Sequence, residues 1–291
     1  MYNALLMERF AKETPPQDKI TLLRHLKDIN DLRNNRDSGI EAGQEQAALE
    51  VANRIAFYAK ERGAKAIIIF SSTKNRATES AELVREKLRS IDHHLKIILS
   101  PSVYLSDLDH GEFILPENYV SGDHHDILQI AWDAFITESF TENNPNYRYG
   151  DPIVKEDGTA KYSELVGQFT RFGESQIDSN IRIYKAIVNG YENRDRIFPK
   201  NILSIVLTHS LVYAILKNLS IIAKRVRKEN FNFKKGTLYK VCWDVYNNEK
   251  ESQHKSQYGD FLEIPIDLLE DKKFVGLLKE EITFFEEEAM K

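Results

Sequence analysis

The sequence predicts an α/β protein, a three-layer α/β/α sandwich with a mostly parallel central sheet, a variable lid insertion and a C-terminal hairpin plus helix. Two runs carry the core of that expectation, "AKAIIIFSS" (64–72) and "ILSIVLTHS" (202–210). Both hold unbroken apolar segments, as strands buried on two faces do, and the first is rich in isoleucine. Between the strand patterns, apolar residues recur at helical spacing.

The elements follow in order. "ITLL" (20–23) is a short apolar strand. "EQAALEVANRIAFYAKERG" (45–63) repeats Ala48, Val51, Ile55 and Tyr58 on one helical face and stops at Gly63, a favourable residue for ending a helix. After the 64–72 strand, "ATESAELVREKLRS" (77–90) is helical through Ala77, Ala81, Val84 and Leu88, and "LKIILS" (95–100) is the next strand. From about 113 to 172 the pattern loosens around one amphipathic helix, "DILQIAWDAFITESF" (126–140), and this stretch reads as the lid insertion. Helical spacing resumes through Ile177, Ile181, Tyr184 and Val188, and the 202–210 strand enters the helix "LVYAILKNLSIIAKRV" (211–226). A C-terminal extension from about 225 alternates as a hairpin, "LYKVCWDVYN" with "DFLEIPIDL", before an acidic amphipathic helix. No composition break divides the 291 residues, so a single domain is expected.

Composition narrows the functional classes. A net charge of -5 gives no general attraction for nucleic acid or for an anionic membrane, so neither is an expected partner, and an anion must be held by a local cluster of cations. The first residues hold no signal-peptide pattern, and no apolar run reaches the roughly 18 residues of a membrane span. The expected location is the cytoplasm. One cysteine, Cys242, excludes an internal disulfide and a multi-cysteine zinc site, and it reads as a packed small hydrophobe. Neither a metal nor a cofactor is expected. Nothing in the sequence speaks to oligomeric state.

In an open α/β sheet, functional side chains collect beyond the carboxyl ends of the strands. Those positions hold Arg24 and His25 after the first strand and Arg76 after the second. The acidic loop "SDLDHGE" (106–112) lies beyond a strand expected near 103–105, and Thr208, His209 and Ser210 follow the apolar run "ILSIVL" (202–207). Two guanidiniums in one crevice need an anion between them, and their planar forks match phosphate oxygens. Nearby positive charge disfavours imidazolium, so His25 is expected to be neutral with a ring lone pair free to attack phosphorus. A second histidine can donate to a non-bridging oxygen, and a carboxyl group from the acidic loop can protonate the departing alkoxide.

Four stretches in this order, "LLRH", "FSSTKNRATESAELV", "YLSDLDHGEF" and "IVLTHSLVYAIL", resemble the histidine phosphatase superfamily, the phosphoglycerate mutase-like fold. The resemblance runs from residue 19 to about 220. It implies that His25 carries a phosphoryl group, that Arg24, Arg76 and His209 hold its oxygens, and that Asp107, four residues before Gly111, is the acid. Ser71 and Ser72 match the serine-led stretch ahead of the arginine. Weaker echoes are "GIEAGQEQA" (39–47) and "GESQIDSNIRIY" (173–184), similar to the family's Gly-Glu-Ser helix. Leu26 replaces the family's glycine, so its side chain must find room beside the phosphate pocket or the loop must differ there. Asp31 stands where the mutases have asparagine, which argues for the phosphatase branch.

The expected activity is a metal-independent phosphomonoesterase acting on a small phosphorylated metabolite, a sugar phosphate or a nucleotide, through a phosphohistidine. The long lid suits a covered pocket. A non-catalytic phospholigand binder and a phosphoramidase or phosphoprotein phosphatase stand as alternatives. Asp109 and Glu112 compete with Asp107 for the acid's role, and Lys27 and Ser210 are candidate substrate contacts. "DHHD" (123–126) follows no apolar strand and is set aside.

Overall fold

The computed structural model describes residues 19–28, 39–114, 131–142, 144–151, 168–171, 173–193, 202–228, 231, 233–248 and 257–290. Asp31, the "DHHD" stretch and most of the lid insertion lie outside these residues. The first half of the chain gives β1 (Lys19–Arg24), α1 (Glu45–Glu61), β2 (Ala66–Ser71), α2 (Asn75–Ile91) and β3 (Lys96–Pro101). A 3-10 turn (Val103–Leu105) leads to the small strand pair β4 (Glu112–Ile114) and β5 (Gln168–Arg171). The rest is α3 (Gln176–Glu192), β6 (Ile202–Thr208), α4 (Ser210–Lys228), α5 (Leu238–Asn248), β7 (Phe261–Pro265), α6 (Ile266–Leu269) and α7 (Lys272–Ala289).

The main sheet runs β3-β2-β6-β1-β7, with the first four strands parallel and β7 antiparallel at the edge. Its central strands are buried on both faces, because alternate residues of each serve different layers. Ile20, Leu22 and Val206 face the layer of α3, α4, α5 and α7, whereas Leu23, Leu203, Ile205 and Leu207 face α1 and α2. This is the expected three-layer sandwich. Among the described residues no helix is long and apolar enough to cross a membrane.

Two elements depart from expectation. Residues 103–105 form a 3-10 turn instead of a short strand. Residues 238–248 form a helix instead of the first strand of a hairpin, and β7 pairs with β1. The alternation around Cys242 masked a helical period: Leu238, Cys242 and Val245 lie at i, i+4 and i+7, and all three are buried in the core beside α4. The carboxylate of Glu281 fixes the start of this helix by accepting from the backbone amides of Gly236 and Leu238. Cys242 is buried, as expected of a packed hydrophobe.

Candidate active site

The parallel register brings three strand ends to one edge. Arg24 pairs with Thr208 across β1 and β6, and Ser71 with Leu207 across β2 and β6. Just beyond, the His25 amide donates to the Thr208 carbonyl (2.9 Å) and the Ser72 amide to the Leu207 carbonyl (3.2 Å). His25 and His209 therefore emerge side by side, their ring centroids 5.0 Å apart. Ser71 and Ser72 are buried beneath the start of α2, where Ser72 Oγ accepts from the Lys74 amide.

His25 Nδ1 lies 2.6 Å from the Leu26 carbonyl oxygen. A carbonyl can only accept, so Nδ1 carries the proton and Nε2 keeps its lone pair. His209 has the opposite tautomer. Its Nδ1 accepts from Arg76 Nε (3.1 Å), which leaves Nε2–H as a buried donor with no partner among the described residues. Burial pushes the His25 pKa below 6.5, with its bond to the Leu26 carbonyl opposing and the Arg76 charge reinforcing. Burial also holds His209 well below that value, against the pull of Asp107. Both rings are neutral near pH 7, as expected of a nucleophile and a neutral donor.

Arg76, the second residue of α2, is the hub of the site. Its Nη2 meets Asp107 Oδ2 at 2.7 Å, and its Nε lies 3.6 Å from Asp28 Oδ2. Asp107 Oδ2 is also 3.7 Å from His209 Nδ1, and its other oxygen accepts from the Leu108 amide. Burial opposes ionisation of Asp107, but the Arg76 guanidinium against its Oδ2 outweighs that cost and holds the carboxyl well below its ordinary range. Of the three candidate acids, Asp107 alone meets the histidines. Asp109 is drawn outward to Arg171 (3.1 Å), and Glu112 is exposed on β4.

Arg24 lies at the same edge, its guanidinium carbon 4.2 Å from the centroid of the Tyr258 ring. Tyr258 also lies 5.5 Å from the His25 ring, and its hydroxyl donates to Asp28 Oδ1 (3.1 Å). Neither Tyr258 nor Asp28 was singled out from the sequence. Lys27 and Ser210 do not join the cluster. Lys27 is exposed and pairs with Glu41 at 2.9 Å, and Ser210 is exposed at the first residue of α4.

Leu26 does not crowd the site. Its side chain, 2% exposed, turns away into the core with Leu23, Val51, Ile55 and Ala77. Its amide donates to Ser80 Oγ (3.0 Å), and that hydroxyl donates to the Arg76 carbonyl (2.6 Å), so the loop after His25 is tied to the helix bearing Arg76. Leu26→Ala is expected to destabilise the protein by about 3 kcal/mol in urea unfolding, the usual cost of a core leucine.

No family model matches the chain, and no curated protein matches it. Solved structures resemble it in outline. A mycobacterial glucosyl-3-phosphoglycerate phosphatase is 14% identical, with 70% of this chain and 80% of that chain covered and a TM-score of 0.41. A structure described as mycobacterial hydrolase 2 is 13% identical, covering 70% and 72%, with a TM-score of 0.41. The YhfR protein of Bacillus stearothermophilus is 18% identical, covering 70% and 80%, with a TM-score of 0.40. At such identities the chemistry must be read from the residues of the site.

Those residues offer a nucleophilic nitrogen, a preplaced N–H donor, two guanidiniums and a carboxylate within one edge of the sheet. Among the described residues no group of three or more His, Cys, Asp or Glu side chains is placed to hold a metal ion.

Proposed function

We propose that this protein is a phosphomonoesterase of the histidine phosphatase type that works through a phosphohistidine without a metal. The observation that carries the reading is the complementary pair of tautomers, a lone pair on His25 Nε2 beside a buried, unengaged N–H on His209. His25 Nε2 attacks phosphorus in line, forming the N–P bond as the ester P–O bond breaks. Arg24, Arg76 and His209 Nε2–H take the non-bridging oxygens, where negative charge develops.

The leaving alkoxide takes a proton from Asp107. In the resting site Asp107 is ionised against Arg76, so it must first be protonated. A bound phosphoryl group supplies the cause. It competes for the Arg76 fork and adds negative charge beside the carboxylate, and both effects raise the Asp107 pKa. A phosphate monoester has its second pKa near about 6, so it can deliver the proton itself. Asp107, ionised again after protonating the alkoxide, then deprotonates the water that releases phosphate from His25.

A small phosphorylated metabolite, a sugar phosphate or a nucleotide, suits a site beside an inserted lid. The described part of that insertion packs Phe135, Tyr147 and Tyr149 against Leu108, next to Asp107. A non-catalytic phospholigand binder is the second reading, favoured by the Asp107–Arg76 ion pair, which withholds the proton from the resting acid.

Phosphate release from a panel of phosphorylated metabolites in excess EDTA separates the two. Turnover is expected with at least one ester, and kcat/KM is expected to hold as pH falls through 6.5, because the depressed His25 pKa keeps that ring neutral. Vanadate-induced thermal stabilisation with no phosphate released from any ester supports the binder. Turnover abolished by EDTA contradicts the metal-independent route.

A further inference from the structure

The loop that carries Asp107 is held by an ion pair on the next layer. Arg182, on α3, directs its guanidinium at that loop and donates to the carbonyls of Tyr104 (3.2 Å), Ser106 (2.6 Å) and Asp107 (3.2 Å). Glu174 orients the fork from below, accepting from Arg182 Nε (3.0 Å) and Nη2 (2.8 Å). The same carboxylate accepts the Asp109 amide (3.1 Å), and the Glu174 amide donates to the Asp109 carbonyl (2.8 Å). Residues 104–109 are thus pinned at their backbone on both sides of Asp107.

Two neighbours make this geometry available. Gly173 permits the close approach, since a Cβ there would sit 2.1 Å from the Asp109 carbonyl oxygen. Ser175 caps α3 and forms a capping box with Asp178, which fixes the start of the helix that carries Arg182, with Glu174 just ahead of the cap. Both members of the pair are largely buried, with side-chain exposures of 15% for Arg182 and 23% for Glu174, so the contacts are poorly screened. Carbonyl oxygens in a loop need donors, but one guanidinium meeting those of Val103, Tyr104, Ser106 and Asp107 sets the position of the carboxylate-bearing residue that ends the run.

We propose that Glu174 and Arg182 are positioning residues for proton transfer by Asp107, an inference that rests on the phosphatase reading above. The pair touches neither substrate nor phosphorus. It holds Asp107 Oδ2 in reach of the leaving oxygen, and disturbing it slackens the proton donor while leaving the phosphate clamp of Arg24, Arg76 and His209 in place.

A positional role predicts a leaving-group signature. An alkyl phosphate needs a proton as its P–O bond breaks, whereas 4-nitrophenyl phosphate releases a stable anion without one. Arg182→Gln and Glu174→Gln are expected to lower kcat/KM for an alkyl phosphate by roughly 10- to 100-fold, a large part of what general acid catalysis supplies. For 4-nitrophenyl phosphate the fall should stay within about 3-fold, as should any change in vanadate affinity. Arg182→Lys keeps the charge without the fork and should show the same selectivity, which serves if the glutamine variant fails to fold. Equal losses on both esters, or no loss on either, would overturn the inference alone. A parent protein that hydrolyses neither ester overturns the phosphatase reading, and this inference with it.

Discussion

His25→Ala is expected to lower phosphate release by on the order of 10⁴-fold or more, because the covalent step is given to His25 Nε2 and the unprotonated nitrogen of His209 is already engaged by Arg76. The side chain is buried, but its one hydrogen bond in the structure is local, from Nδ1 to the next carbonyl. Its removal should therefore cost only about 1 kcal/mol of stability, visible as a small fall in melting temperature. The combination of a normal fold with lost turnover is what separates a nucleophile from a core histidine. A variant that hydrolyses esters at the parental rate would remove His25 from the mechanism.

Arg76→Ala is expected to produce the second large effect, and it should act on both rate and stability. In the resting site the guanidinium serves His209, Asp107 and Asp28 together. Its loss removes the donor that fixes the His209 tautomer and one of the two guanidiniums of the proposed phosphate clamp, so kcat/KM should fall by about 10²- to 10³-fold. Two carboxylates would also lose their shared counter-charge. Because Asp28 and Asp107 keep some exposure to water, the stability cost should reach at most about 3 kcal/mol. Arg76→Lys should recover little, since one ammonium cannot reproduce the planar fork. Inorganic phosphate should stabilise the parent against heating more than either variant, and equal stabilisation of all three would contradict the clamp.

The strand ends were legible in the sequence because burial on both faces leaves unbroken apolar runs, and such runs stop where the side chains must change. Arg24, His25, Arg76, Asp107 and His209 all follow such stops, or the loop after one, and the parallel register gathers them. Tyr258 was hidden by a single misread period. With 238–247 taken as a strand, β7 had a false partner, so nothing placed the residues before it beside β1, where Tyr258 meets Arg24 and His25. Asp28 was visible as a charge but not as a neighbour of Arg76, because that contact joins the segment after β1 to the start of α2, far apart in sequence.

Leu26 illustrates the same limit at one residue. A leucine after the histidine looks like an obstruction beside a phosphate pocket only if its side chain faces the pocket. The backbone turns it into the α1 and α2 layer instead, where an apolar side chain is favoured. Likewise "GESQIDSNIRIY" resembled a family segment without revealing that Glu174 and Arg182 reach back to the Asp107 loop. Contacts of that kind depend on where α3 docks, which local periodicity does not encode.

The most direct test of the central claim is to quench the protein within milliseconds of mixing with a radiolabelled phosphate ester and to examine the bound phosphoryl group. A phosphohistidine is expected: an adduct stable in alkali, lost in acid, and absent from His25→Ala. An acid-stable adduct, or one that persists in His25→Ala, would contradict the account.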